Sequence, residues 1–270
     1  RLMAHDTGHT CKAVTPDLHT SFMFERFHKF ASPPHFHAFA RTLSPWLFGI
    51  SALLFSGGLV GGLVLAPADY QQGDSFRIIY IHVPSAWLSM FTYMVMASAG
   101  AVGLIWKVKM GDIVARACAP IGASFTLLAL ATGSLWGKPM WGTWWVWDAR
   151  LTAELILLFL YFGYLALQSA IEDRRAAARA GAVLAIVGVV NIPIIHYSVE
   201  WWSTLHQGAT LTKFGKPSIE LSMLMPLLAM TLGFKTLFAA VLLVRARCEI
   251  LEFEQHTAWV RELTTVTEAR

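Results

Sequence analysis

Six long apolar runs dominate this 270-residue sequence, and they restrict the possible fold more than any other feature. Each run is long enough to cross the hydrocarbon core of a bilayer, which takes about 20 residues of helix. The runs do not alternate apolar with polar residues, as the strands of a membrane barrel would. Charged residues make up 14% of the chain, whereas about a quarter is usual in soluble domains. We therefore predict an all-α integral membrane protein with six transmembrane helices.

The predicted boundaries divide the chain into a membrane domain and two flanking segments. Residues 1–45 form an N-terminal segment, residues 46–244 the six-helix domain, and residues 245–270 a tail. The first predicted span contains two overlapping Gly-x-x-x-Gly pairs, which let another helix approach closely. That helix belongs either to this chain or to another subunit. The six predicted spans are 46–66, 78–106, 117–135, 151–171, 181–199 and 221–244.

Lysine and arginine are distributed unevenly between the two sides of the predicted bundle. An even number of spans places both termini on one side. The terminal segments and the loops at 107–116 and 172–180 hold 15 Lys and Arg residues, and the other loops hold five. The positive-inside rule therefore places both termini in the cytoplasm. The formal charge of +4 follows from this topology and does not indicate nucleic-acid binding. Lys235 lies inside the sixth span, where an ionisable residue calls for a partner or a route to the interface.

A tryptophan-rich stretch at 136–150 joins the third and fourth spans on the predicted external face. Gly137, Pro139 and Gly142 are expected to interrupt any long helix within it. Anchoring at the membrane interface would account for two or three tryptophans. Five of them, with one aspartate and two cations, equally suit a flat aromatic platform for a flat ligand. The five tryptophans, out of eleven in the chain, are Trp136, Trp141, Trp144, Trp145 and Trp147.

Two histidines lie at the same predicted level as this platform. His82 is near the start of the second span, and His206 is in the loop between the fifth and sixth spans. Neutral imidazole is a good axial ligand for haem iron. A haem also needs flat apolar surface for its faces, which the tryptophans would supply. The candidate cations for its two propionates are Arg77, Lys138 and Arg150.

Structural roles are equally open for several of these residues. A histidine at a helix end is commonly a hydrogen-bonding residue of the interface, and His196 competes with the other two as a ligand. Asp148 is suited to cap the helix of the fourth span. Arg150 and Glu154 are four residues apart, which favours an ion pair on one helix face, with direct ligand binding by Glu154 as the alternative.

Residues 141–148 follow the pattern W-G-x-x-W-x-W-D. This pattern resembles the tryptophan-rich WWD signature of the haem-handling proteins of cytochrome c biogenesis. The six-span size and the position of the motif are similar to the CcmC type of that family. The resemblance covers about residues 45–245, and three further phrases carry it: Ala66–Tyr70, Tyr80–Pro84 and His196–Trp202.

The resemblance implies a b-type haem on the periplasmic face of a bacterial inner membrane. His82 and His206 match the positions of its axial ligands, and the tryptophan-rich loop, which contains the five tryptophans and Asp148, is expected to hold it. The haem would pass to a periplasmic haem chaperone. An ATP-binding subunit, a second membrane subunit and a small single-helix subunit are the further implied partners.

No catalytic nucleophile or acid–base pair is evident in the sequence, so we expect a transfer scaffold rather than an enzyme. One alternative is a haem exporter, or permease, that moves haem across the inner membrane. Another is a structural membrane subunit whose tryptophans only anchor it.

Overall fold

The computed structural model describes residues 32–202, 204–206 and 219–268, and nearly all of them are helical. Six stretches are long and apolar enough to cross a membrane, so the prediction of an all-α, six-helix membrane protein is confirmed. In the fifth stretch, two successive helices together form one span. The helices are α1 (Pro33–Leu59, extended by a wider turn at Val60–Leu65), α2 (Ile79–Trp106), α3 (Lys109–Trp141), α4 (Ala149–Ala170), α5 (Arg174–Gly188), α6 (Asn191–Trp201), α7 (Leu221–Phe253) and α8 (Ala258–Glu268).

Helix α1 begins at Pro33, well before the predicted start of the first span at residue 46. The helix therefore includes residues 33–45 of the predicted N-terminal segment. Proline suits the first turn of a helix, because its missing N–H would be unpaired there anyway. His37 is buried with its ring 5.8 Å from that of Trp259, so packing against α8 stabilises this polar part of the helix.

Helices α3 and α7 run past the ends that hydropathy predicts for them. The link between α2 and α3 is only two residues long, and α3 begins at Lys109 rather than at residue 117. Helix α7 continues beyond residue 244 to Phe253. The charged residues that marked these regions as loops instead pair across helices, with Arg116 Nε 3.1 Å from Glu249 Oε2. Charge at a helix end therefore does not mean a loop here.

The tryptophan-rich stretch is helical up to Trp141, where α3 ends. The expectation that Gly137 and Pro139 interrupt the helix is wrong, whereas Gly142 does end it. Gly142 has a φ of +74°, a left-handed conformation that glycine adopts without strain. Its N–H donates to the carbonyl of Lys138 at 3.1 Å, which closes the last turn.

The fifth predicted span is broken at residues 189–190 into α5 and α6. Pro193 explains the break, because a proline ring clashes with the carbonyl four residues earlier and offers it no N–H. That carbonyl belongs to Val189, which instead accepts from Ile192 N at 3.0 Å. Asn191 Nδ2 donates to the carbonyl of Ala153 at 2.8 Å, so the break is tied to α4.

Helix α1 packs along α7, and three of the four glycines in its Gly-x-x-x-Gly pairs face other parts of this chain. A Cβ on Gly58 would meet Met230 of α7 at 2.7 Å, and one on Gly62 would meet the Tyr80 ring of α2 at 2.6 Å. Ser51 also donates to the carbonyl of Gly233 at 2.9 Å. A Cβ on Gly57, by contrast, would have no neighbouring atom within 4 Å. The Gly-x-x-x-Gly pairs therefore serve packing within the chain.

The core between the helices holds four fully buried tyrosines, which are Tyr80, Tyr93, Tyr161 and Tyr164. One end of the bundle brings together the starts of α2, α4 and α7 and the ends of α3 and α6. Lys235 lies midway along α7 and is exposed, with no ion pair or hydrogen bond to the part of the chain that the structure describes.

Candidate functional site

A cavity of about 270 Å³ lies at that end of the bundle, between α2, α3, α4, α6 and the start of α7. Its walls are mostly apolar, with a few polar groups, as is usual for sites that bind organic ligands. Six of the sequence-predicted site residues line it: His82, His206, Trp136, Trp141, Trp145 and Arg150.

His82 and His206 face each other across this cavity. Their ring centroids are 6.3 Å apart, and their ring planes differ by 33°. His82 lies in the second turn of α2, and His206 comes from the chain that follows α6. The two histidines are separated by 124 positions in sequence but meet at one point in the fold. They are therefore placed to bind one ligand together.

The ring of His82 is held in a defined orientation by α3. Its Nδ1 lies 3.1 Å from the carbonyl oxygen of Ala129 and 3.1 Å from Thr132 Oγ1. A carbonyl oxygen can only accept, so we assign the proton to Nδ1. The hydroxyl of Thr132 donates to the carbonyl of Leu128 at 2.6 Å, which leaves its oxygen to accept from the histidine. This tautomer keeps Nε2 unprotonated and available to a metal.

Gly133 lets α2 and α3 approach closely enough for these contacts. A Cβ at this position would lie 3.0 Å from Cε1 of His82. Any larger side chain would push the imidazole away from its two acceptors.

Trp136 and Trp141 form an aromatic wall beside the histidines. Trp136 meets His82 edge to face, with ring centroids 5.6 Å apart and an angle of 76°. Its indole N–H donates to Gln72 Oε1 at 2.9 Å, which fixes the ring. Trp141 lies 6.3 Å from the His206 ring at an angle of 57°. The two indoles therefore enclose the space that the two imidazoles share.

Asp148 and Trp145 connect this wall to α4. One carboxylate oxygen of Asp148 accepts from Leu151 N at 2.8 Å, so the predicted capping role is confirmed. Its other oxygen and the indole N–H of Trp145 are both buried, with no hydrogen-bond partner in the described chain. A buried donor without a partner is costly, and the Trp145 N–H belongs to a residue that lines the cavity.

Trp144 and Trp147 do not line the cavity. Their side chains are 53% and 76% exposed, so they form an outer aromatic surface. Lys138 Nζ lies 5.8 Å from the centre of the Trp144 ring, a cation–π contact. The five tryptophans thus divide into three that line the cavity and two that face outward.

Of the three predicted cations, only Arg150 lines the cavity, with Nη1 3.5 Å from the carbonyl of Ile195. Arg77 binds Asp74 at 2.9 Å and the carbonyl of Gly62 at 2.6 Å. Lys138 donates to the carbonyl of Gly142 at 3.1 Å, in addition to its contact with Trp144. These two cations bind the loops on either side of the site.

Glu154 lies at the inner part of the cavity and is 8% exposed. Its Oε1 accepts a 2.7 Å hydrogen bond from Ser89 of α2. The ion pairs of the described residues do not include Arg150 with Glu154, so the favoured pairing along α4 is not formed. The reason is that each side chain bonds to a different helix.

Sequence reasoning missed three residues that shape the site, which are Gln72, Thr132 and Gly133. Hydropathy treats them as ordinary residues of a loop and a span. The run of small residues at 131–134 was the available signal, because it allows α2 to come close. His196, the competing candidate ligand, also lines the cavity but is exposed. No group of three or more His, Cys, Asp or Glu among the described residues could hold a metal ion.

Comparisons with known proteins point in one direction. The family model described as CcmC, heme exporter protein C, matches residues 26–261. The chain is 53% identical to heme exporter protein C of Haemophilus influenzae over 241 residues, covering 89% of this chain and 98% of that protein. It is 52% identical to the Escherichia coli protein of the same name, covering 89% and 97%. It is also 42% identical to a ccmC-like mitochondrial protein of cytochrome c biosynthesis from Marchantia polymorpha, covering 77% and 88%.

Proposed function

The chain belongs to the CcmC, or heme exporter protein C, family, and we propose that it binds one haem b between His82 and His206 and passes it to a periplasmic haem chaperone. The resemblance inferred from the WWD pattern is thereby confirmed. Family membership makes the chain a multi-pass membrane protein that handles haem in cytochrome c maturation. The haem ligands, the haem type and the acceptor are the proposed part.

The separation of the two imidazoles carries this proposal. A metal–imidazole bond is about 2 Å long, and a ring nitrogen lies about 1 Å from its ring centre, so two imidazoles on one iron have centres about 6 Å apart. The observed separation of the His82 and His206 centroids is 6.3 Å. The Nδ1 contacts of His82 leave Nε2 for the metal, as the outer contacts of metal-bound histidines usually do.

The remaining cavity residues match the other needs of a porphyrin. Trp136, Trp141 and Trp145 supply flat apolar surface. Arg150 and the unpartnered indole N–H of Trp145 supply donors for a propionate. Asp148 contributes indirectly, because it caps α4 one residue after the motif's last tryptophan. Arg77 and Lys138 then stabilise the surrounding loops instead of binding propionates directly.

The size of the cavity favours a haem that is held but remains accessible. Pockets that bury most of an organic ligand usually measure about 300–1,000 Å³, and this cavity measures about 270 Å³. A porphyrin would therefore keep one edge outside. The exposed rings of Trp144 and Trp147 lie next to that edge and offer a surface for the chaperone.

The wider assembly is proposed from the family resemblance. We place the site on the periplasmic face, since the positive-inside rule puts both termini in the cytoplasm. An ATP-binding subunit, a second membrane subunit and a single-helix subunit would complete the complex. The chain itself would act as a binding and transfer scaffold and not as an enzyme.

Histidine substitutions test the haem site. The full-length protein is purified in mild detergent from cells supplied with haem, and Soret absorbance per protein is measured. We expect His82→Ala and His206→Ala each to lose at least tenfold in retained haem, because each removes one axial bond. His196→Ala is the matched comparison, since it removes a third cavity histidine and should keep its haem. Equal retention in all four proteins would contradict the proposal.

Transfer is tested separately by adding the purified, haem-free chaperone to the haem-loaded protein. Haem absorbance should move from this chain to the chaperone when the two are separated by size. Replacing Trp147 with Ala should slow that transfer without reducing the haem bound beforehand. Haem that stays on this chain in the presence of every other subunit would contradict the transfer role.

The name of the relatives supports one alternative, in which haem itself crosses the bilayer through this chain. Vesicles containing only this protein distinguish the two roles. Haem flux into such vesicles would favour the exporter, and binding without flux would favour the transfer scaffold.

A further inference from the structure

Glu154 is a buried carboxylate that the proposed haem contacts do not use. It lies in α4, inside a predicted span, and it borders the same cavity as the two histidines. Its hydrogen-bond partner is the neutral hydroxyl of Ser89, at 2.7 Å. Ionisable residues at membrane depth are expensive to bury and usually have a functional role. Neither helix capping nor apolar packing explains why a glutamate lies at position 154. Asp148 caps the helix, and Leu157 is the buried apolar residue one turn further along.

The position of Ser89 indicates how deep the carboxylate lies. Ser89 follows His82 by seven residues on α2, and seven residues of helix rise about 10 Å. Glu154 therefore lies about 10 Å deeper in the bundle than His82. Water would screen an interaction between this buried carboxylate and a haem iron held by the two histidines poorly.

The charge of a haem bound by two neutral imidazoles depends on its oxidation state. The porphyrin ring carries two negative charges, so its core with ferric iron has a net charge of +1, and with ferrous iron it is neutral. Burying an uncompensated charge is costly, and a nearby opposite charge reduces the cost. The other charged or titratable side chains that line this cavity are Arg150, His196, Glu200 and the two proposed ligands. Glu200 and His196 are exposed at its edge, and Arg150 is assigned to a propionate.

We propose that Glu154 sets the oxidation state of the bound haem, with its carboxylate stabilising the ferric form over the ferrous form. The inference rests on the proposed haem site and adds its regulation by a residue outside the ligand set. With the Glu154 carboxylate ionised, unit charges about 10 Å apart at an effective dielectric constant of about 20 give a preference for the ferric form of about tenfold or slightly more. Haem would then be handed on in the form that carries the positive charge.

A redox titration of the purified, haem-loaded protein tests this proposal. Glu154→Gln removes the charge and keeps an oxygen that can accept from Ser89. We expect the ferric preference to fall about tenfold, which raises the one-electron midpoint potential by about 59 mV. Glu200→Gln is the matched control, because it removes an exposed carboxylate at the edge of the same cavity and water should screen its effect. A potential that is equal in the wild type and Glu154→Gln, or shifted as much in the control, overturns the proposal.

Binding of two porphyrins separates the charge effect from a structural one. Ferric haem and zinc protoporphyrin have the same ring and propionates, but the zinc core is neutral. Glu154→Gln should bind ferric haem about tenfold more weakly than the wild type and zinc protoporphyrin equally well. Equal losses for both porphyrins would mean that Glu154 only supports the fold, which overturns the proposal. If the wild type binds neither, the haem site itself is wrong, and this result is distinct from the other outcomes.

Discussion

At the residue scale, the site depends on how the neighbours of a ligand orient it. His82 has the right position in α2, but the nitrogen that we propose as the iron ligand is selected by Ala129 and Thr132 on another helix. Outer contacts of this kind fix the tautomer and the ring orientation of metal-bound histidines. His82 should therefore depend on α3 as much as on its own helix.

Thr132→Val tests that dependence. The valine keeps the shape of the side chain and removes the oxygen 3.1 Å from His82 Nδ1, so the ring loses one of its two acceptors. We expect haem affinity to fall about tenfold, measured by titrating haem into the purified protein. Thr126→Val is the control, because Thr126 is buried in the same helix and donates to its own helix at Gly122. Equal affinities for the two variants would show that the Thr132 contact does not matter.

At the element scale, close packing of α1 on α7 depends on individual glycines. Gly57 and Gly58 are adjacent and belong to equivalent Gly-x-x-x-Gly pairs, yet only Gly58 faces α7. In a membrane, small residues stabilise helix pairs because they let the backbones approach.

Substitution of each of these two glycines by isoleucine should therefore have a different effect on the stability of the protein. Gly58→Ile forces a side chain into Met230 and should cost ~1–3 kcal/mol, the usual penalty of overpacking. Gly57→Ile points into open space and should change stability little, apart from glycine's own backbone effect. Thermal unfolding in detergent checks both. Similar melting temperatures for the two variants would contradict the described packing of α1.

Much of the element arrangement could be predicted from sequence, and the misses have physical causes. Long apolar runs fix the number of spans, because a bilayer leaves few alternatives. Hydropathy cannot locate helix ends, since α3 and α7 continue beyond their apolar runs through charged residues, and Arg116 of α3 pairs with Glu249 of α7. Hydropathy also missed the break before Pro193. A proline inside a span indicates such a break only in combination with its neighbours.

Prediction of the site was similarly uneven. Topology placed His82, His206 and the tryptophans at one end, and family resemblance selected the two histidines. Sequence alone could not rank Arg150 above Arg77 and Lys138. Their roles depend on which carbonyls and rings lie within reach in the folded chain.

At the scale of the whole molecule, the proposal depends on the orientation of the bundle. The site end and the end that we propose to be cytoplasmic are opposite ends of the bundle, and each offers an exposed position for labelling. Lys138 is exposed beside the site, and Cys248 is exposed near the end of α7. The positive-inside rule predicts that only the first faces the periplasm.

Labelling of intact cells with a membrane-impermeant maleimide checks this orientation. In a Cys11→Ser background, the Lys138→Cys variant should react at residue 138 before the membrane is opened. Cys248 should react only after permeabilisation, so it serves as the internal control. Cys118 is buried and should stay unlabelled in the folded protein. Labelling of Cys248 in intact cells would place the site in the cytoplasm and contradict the proposed handover.

The central claim is that two imidazoles share one iron, and the electronic spectrum of the ferric haem complex tests it most directly. Visible absorption and electron paramagnetic resonance of the purified full-length protein distinguish six-coordinate, low-spin iron from five-coordinate, high-spin iron. We predict a low-spin, six-coordinate signal in the wild type that is lost in both His82→Ala and His206→Ala. A high-spin signal in the wild type, or a low-spin signal that survives both substitutions, would contradict the account.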